Sequence, residues 1–218
     1  MKTAAEETVV RIPAGKAAIN GNLTIPPKAK GIVLFAHGSG SGRFSPRNTM
    51  VAREINKAGM ATLLIDLLTK DEEATDEFTG EFRFDISLLA ERLIFATEWL
   101  TTNPNTASLA VGYFGASTGA AAALIAAAKL PKQIKAVVSR GGRPDLAGDY
   151  LSRVKAPTLL IVGGYDAEVL QLNKEAMEQL PSKKKLTVVP GATHLFEEPG
   201  KLEQVAKLAI DWFSKHLN

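Results

Sequence analysis

Cysteine is absent from the 218-residue chain. That removes disulfides, thiolate nucleophiles and Cys-ligated zinc or iron–sulfur clusters from the available chemistry. Histidine occurs three times, at His37, His194 and His216, which leaves little material for a histidine-built metal site, and no metal is expected. A large charge imbalance is missing too: 26 Lys and Arg against 23 Asp and Glu leave +3. The one dense basic run, Lys183-Lys184-Lys185, reads as a solvated strand start, so a nucleic-acid partner is not expected. Long apolar runs are also lacking. The longest, 119–128, is half of the roughly 20 residues a membrane span needs. Residues 1–11 carry Glu6 and Glu7 and no apolar core of a signal peptide. A soluble, cytoplasmic protein is the expectation.

What is present is a regular alternation. A chain of this length buries a sizeable core without staples, and one domain over 1–218 is the simplest division. Strand-like segments fall at 8–12, 17–25, 31–36, 60–65, 109–114, 134–139, 158–162 and 186–189, with Asn20-Gly21 as a turn or bulge in the second. Helical spacing appears at 46–58, 85–101, 117–129, 169–180 and 202–217. Short apolar strands alternating with helices indicate a mostly parallel sheet of about eight strands, covered on both faces, without a cap domain. The polar, acidic stretch 66–84 reads as the longest irregular segment and as a possible short flap.

The sharpest local signal is Gly115-Ala116-Ser117-Thr118-Gly119, entered by an apolar strand and left by an alanine-rich helix. A nucleophilic serine on a tight strand-to-helix turn needs very small flanking residues, and the helix N-terminus aims free N–H groups at the reacting centre. Such a serine requires a base and an orienting acid, in the chain order Ser, acid, His. His194 follows the last apolar strand and falls where the base must lie. His216, in the last helical turn, reads as a cation set against the helix dipole. Asp166, after Val162-Gly163-Gly164-Tyr165, is the favoured acid; Asp145, one strand earlier, is the alternative.

The loop His37-Gly38-Ser39-Gly40-Ser41-Gly42-Arg43 also follows a strand. An oxyanion needs two backbone donors, expected from Ser39 and from Thr118, the residue after the nucleophile. His37 reads as structural, its ring bonded to nearby backbone. The loop imitates a dinucleotide fingerprint, but Arg43 stands where the third glycine belongs, and no Gly-Lys-Ser/Thr phosphate loop exists.

Together His37-Gly38, the Ser117 pentapeptide, Asp166 and His194, within LFAHGSGSGRFSPRN, GYFGASTGAAAAL, VVSRGGRPDLAG, LLIVGGYD and VPGATHLFEEPG, resemble the α/β-hydrolase superfamily. The nearest likeness is to the dienelactone-hydrolase-like branch of small serine hydrolases. That resemblance implies the α/β-hydrolase fold, no cofactor, and a small-molecule ester substrate. Dienelactone hydrolases proper use a cysteine nucleophile, whereas this chain has Ser117. A carboxylesterase acting on small or short-chain esters is therefore the expectation. Lactonase, thioesterase and acyltransferase chemistry are the alternatives. Phe78, Phe82 and Phe84 are available to line the acyl site or to anchor their loop to the core, with Arg43 in the oxyanion loop; Arg140 and Arg143 are candidate anchors for a substrate carboxylate or phosphate, with pairing to Asp145 and Asp149 the favoured reading.

Overall fold

The structure, a computed structural model, describes residues 6–217. An antiparallel hairpin opens it: β1 (Glu7–Ala14) and β2 (Ala17–Thr24) turn at Gly15-Lys16, with Gly15 at φ 68°. Asn20-Gly21 is therefore not the turn. It lies inside β2, opposite Arg11 and Val10. Gly21 is small because a Cβ there would lie 2.8 Å from Leu63 Cδ1 on the adjoining strand.

Six further strands follow: β3 (Gly31–Ala36), β4 (Ala61–Ile65), β5 (Ala110–Ala116), β6 (Ile134–Arg140), β7 (Thr158–Gly163) and β8 (Lys184–Val189). The sheet order is β1-β2-β4-β3-β5-β6-β7-β8. β2 meets β4 antiparallel, and every pairing from β4 to β8 is parallel. All loops leaving β3 to β8 thus emerge on one edge, where an open parallel sheet builds its ligand site.

Two cores flank the sheet, and alternation in β3 displays both. Ile32, Leu34 and Ala36 face α3 (Ile86–Thr102) and α4 (Thr118–Lys129). Val33 and Phe35 face α1 (Pro46–Lys57) and α6 (Lys201–His216). α5 (Ala167–Gln179) joins the α3–α4 side through Ala176. In α3, Leu89, Leu93, Ala96 and Leu100 recur at helical spacing and are all buried. α4 is buried from Thr118 to Ala127, as expected of a helix apolar on every side.

Segment 66–84 is not irregular. It contains α2 (Lys70–Thr79) and a 3-10 turn, Phe82–Phe84. Thr69 and Glu72 close a reciprocal capping box, and Gly80 ends the helix in the left-handed conformation at φ 65°. The only buried residue of α2 is Asp76, which binds Arg83 through its side chain and its backbone. A 3-10 segment, Pro144–Arg153, likewise occupies the expected loop after β6. His216 also departs from expectation. Its ring packs 4.9 Å from Trp212, and partial burial, with Lys183 and Lys215 nearby, lowers its pKa and favours the uncharged form. Among the described residues no helix is long and apolar enough to cross a membrane.

Candidate active site

β5 runs into Ser117, which sits at φ 51°, ψ −124° before α4 begins. A non-glycine residue in this region costs about 1–3 kcal/mol and persists only where its surroundings enforce it. They do so here. The Ser117 N–H donates to the Arg140 carbonyl at 3.3 Å, and the Ser117 carbonyl accepts from the Arg143 N–H at 3.1 Å. The flanking glycines have a steric cause. A Cβ on Gly115 would lie 2.4 Å from Ala120 Cα, and one on Gly119 would lie 2.4 Å from both the Ala36 and His37 carbonyl oxygens. Ser117 occupies the N-cap position of α4, yet its side chain makes no cap hydrogen bond. The hydroxyl is left for other partners.

Asp166 repeats that arrangement at the N-cap of α5. Instead of capping, its Oδ2 lies 2.6 Å from His194 Nδ1. The two acids considered from the sequence are thereby separated, because Asp145 grips Arg143 with both oxygens, at 2.9 and 2.7 Å. The His194 loop is clamped from both sides. Gly163, at the end of β7, approaches so closely that a Cβ would stand 2.4 Å from the Ala192 carbonyl. Glu198 accepts the Thr193 N–H at 3.0 Å, and hydrogen bonding from the Thr193 side chain, then from the Glu198 and Thr193 backbone, lowers the Glu198 pKa. Sequence reasoning misses Glu198, which there is one acid among several. Gly141 joins the serine and histidine sides: it follows Arg140, and a Cβ on it would lie 3.6 Å from His194 Cε1. The His194 side chain is 38% exposed and that of Asp166 14%. The ring can thus meet a ligand while its partner is shielded.

His37 behaves as the sequence suggests. Its Nδ1 lies 2.9 Å from the Gly38 carbonyl, and its Nε2 accepts the Leu67 N–H at 3.0 Å. These partners assign a neutral ring protonated at Nδ1. Burial lowers the His37 pKa, outweighing the Gly38 bond and the charge of Asp66. The sign of the linkage follows. The unfolded chain takes up the proton first, near pH 6.5, so stability contributed by the neutral ring is complete above that pH and is lost as pH falls below it. Thermal unfolding is expected to shift to lower temperature on acidification through that range, and less steeply in His37→Gln. Equal slopes for both proteins would remove His37 as a cause; His216, also lowered, adds a slope of the same sign to each.

The two expected oxyanion donors lie together, but one is engaged. The Ser39 N–H donates to Thr118 Oγ1 at 3.1 Å, the two hydroxyls lie 3.0 Å apart, and Ser39 Oγ donates to the Arg83 carbonyl at 3.2 Å. Beside this loop opens a cleft of about 200 Å³ beneath α2, walled by Ser39, Ser41, Leu67, Leu68 and Leu89 with Asp66, Glu73, Asp76, Glu77 and Arg83. Its apolar walls differ from those expected: Phe78 is 90% exposed on α2, and Phe82 is half-buried outside the lining. The candidate anion anchors are occupied. Arg43 pairs with Asp66 and donates to Asn22, and Arg143 is held by Asp145. Arg140 is buried, 6.0 Å from the Phe196 ring, with Asn48 as a distant acceptor at 3.4 Å. Burial, reinforced by Arg47, lowers its pKa to about 10. Among the described residues no cluster of His, Asp and Glu suits a metal ion.

Comparison with known proteins places the chain among relatives of the same fold. Over 208 residues the chain is 63% identical to a Mycobacterium tuberculosis protein, found in two strains and provisionally named a phosphoribosyl transferase. The match covers 95% of this chain but only 46% of that protein, so the chain spans less than half the length of these relatives. A crystal structure of a dienelactone hydrolase from Anabaena variabilis superimposes with a TM-score of 0.97 at 59% identity, covering 98% of this chain and 99% of the other. A cold-adapted esterase from an Arctic intertidal metagenomic library shares the fold at 17% identity, with a TM-score of 0.78 over 100% of this chain and 97% of its own. The dienelactone hydrolase family model matches residues 19–217, nearly the whole sheet and every element of the site. The chain belongs to the dienelactone hydrolase family.

Proposed function

We propose that residues 1–218 form one domain that hydrolyses carboxylic esters through an acyl-enzyme on Ser117. The observation that carries this is the 2.6 Å contact between Asp166 and His194 Nδ1, on the same sheet edge as a serine held in a strained turn. With Nδ1 tied to the carboxylate, His194 Nε2 is the basic atom. It takes the Ser117 proton as Oγ attacks the ester carbonyl. The tetrahedral oxyanion accepts the N–H of Thr118 and that of Ser39, which exchanges the Thr118 hydroxyl for the substrate oxygen. His194 then protonates the departing alcohol. Water, deprotonated by the same ring, attacks the acyl carbon, and collapse returns Ser117 with the free acid. Asp166 stays ionised throughout and stabilises the imidazolium.

The same groups serve lactones, thioesters and acyl transfer. Relative turnover of ester, lactone and thioester donors separates the first two, and partition of the acyl-enzyme between water and an added alcohol separates hydrolysis from transfer. The transferase name of the mycobacterial relative describes a protein more than twice as long, and phosphate binding finds no support here, since the arginines of this edge are paired or buried. The test is covalent labelling with a fluorophosphonate. The expected adduct lies on the peptide carrying Ser117, and prior incubation with p-nitrophenyl butyrate slows its formation. A modified peptide elsewhere, or none on folded protein, would reject the serine mechanism.

A further inference from the structure

Large apolar side chains exposed to solvent are not scattered over this molecule. Of the eight among the described residues, only Val9 and Val188 lie on strands. The other six, Phe44, Phe78, Phe84, Leu146, Tyr165 and Leu195, lie on the segments that follow β3, β4, β6, β7 and β8. All of these segments leave the same edge of the sheet. Tyr165 and Leu195 are the chain neighbours of Asp166 and His194, and Phe84 follows Arg83 of the cleft wall. Phe44 carries the Arg43 guanidinium 4.2 Å from its ring centre, and that arginine pairs with Asp66 of the same wall. Exposed apolar side chains gathered on the segments of the edge that carries Ser117, Asp166 and His194 mark a place where apolar matter is bound.

Charge narrows what that matter is. Four carboxylates line the cleft, and the arginines nearest to it are spent on two of them: Arg43 on Asp66 and Arg83 on Asp76. Glu73 and Glu77 have no ion-pair partner among the described residues. A carboxylate entering here meets like charge and, among the described residues of the lining, no unpaired cation.

We propose that this site selects uncharged esters bearing a large apolar group and rejects substrates that carry a carboxylate. The proposal rests on the esterase reading for its chemistry, and its test separates the two. Wild-type turnover is compared across p-nitrophenyl acetate, butyrate, hexanoate and hemisuccinate, the last matching butyrate in chain length but for the acid. Specificity, as kcat/KM, is expected to rise about tenfold from acetate to hexanoate, less than full burial of four methylenes would give. It is expected to fall about tenfold from butyrate to hemisuccinate, a penalty that shrinks with added salt. Phe44→Ser and Phe84→Ser are expected to lower the hexanoate-to-acetate ratio, and Glu77→Gln to narrow the hemisuccinate deficit.

Binding of hexanoate and hemisuccinate to Ser117→Ala protein reads the preference without any chemistry. Turnover persisting in that variant defeats the serine mechanism, and the binding comparison still decides the substrate class. Tighter binding of hexanoate supports the proposal. Hemisuccinate bound as tightly as hexanoate, or a flat chain-length series, overturns it.

Discussion

Replacing Ser117 with alanine is expected to lower p-nitrophenyl butyrate turnover by about four to six orders of magnitude, with the fold intact. The size comes from removing the atom that forms the acyl-enzyme. The intact fold comes from the backbone: alanine keeps the Cβ, so the strain at φ 51° is unchanged, and the bonds to Arg140 and Arg143 are main-chain bonds. Ser117 makes no cap bond whose loss would weaken α4. His194→Ala should lose nearly as much, and the double variant little more than either alone, because groups that act as a unit are not additive. Steady-state rates of highly purified protein, read beside thermal unfolding, check both halves. A Ser117→Ala rate within tenfold of wild type would remove the serine from the chemistry.

The second large effect is one of stability. Gly119→Ala adds one methyl group in helix-favouring chemistry, yet its Cβ would stand 2.4 Å from two backbone oxygens, those of Ala36 and His37. Backbone does not yield as a flexible side chain does, so α4 must lift from the end of β3. A loss of about 2–4 kcal/mol is expected, at the upper end for overpacking. Activity should fall with it, because Gly38 and Ser39 follow directly on the displaced strand end. Gly59→Ala is the comparison. That glycine has a φ of 87° but nothing within 4 Å of an added methyl, so only the conformational strain of about 1 kcal/mol applies. Urea unfolding of the two variants separates a steric cause from a conformational one; equal losses would contradict the close approach at Gly119.

What can be read from residues alone follows from the kind of signal each element carries. The central strands and α3 announce themselves by apolar runs and helical spacing, because burial there is on one face or two. Gly115 and Gly119 are legible as a pattern, and the 2.4 Å approaches give the reason for it. α2 escapes such a reading because it has no apolar stripe: its buried residue is Asp76. The signal that would reveal it is present, Thr69 followed three residues later by Glu72, with Gly80 after the last turn. The arginines mislead for a related reason. Sequence shows a guanidinium and its near neighbours, as with Arg143 and Asp145, but not that Arg43 reaches Asp66 across 23 positions, or that Arg140 is folded against Phe196. Helix position alone assigns His216 a charge, while its surroundings are set by Trp212 and two lysines brought near by the fold.

The attachment of α2 makes that helix an exchangeable cassette. It contributes no buried apolar side chain to either core. Its ends are closed by its own capping residues, and its ties to the rest are ionic, Asp76 to Arg83 and Glu72 to Arg92. A different helix in place of residues 70–79 would leave the sheet, the nucleophile turn and the histidine loop in register. One requirement travels with such a graft. Arg92 is buried and divides its donors between the Ala14 carbonyl and Glu72, so a replacement must bring its own carboxylate to that spot or strand a charge in the interior. The helix that covers the cleft is thus one that adds no apolar side chain to either core, with the buried Arg92 as a constraint on what replaces it.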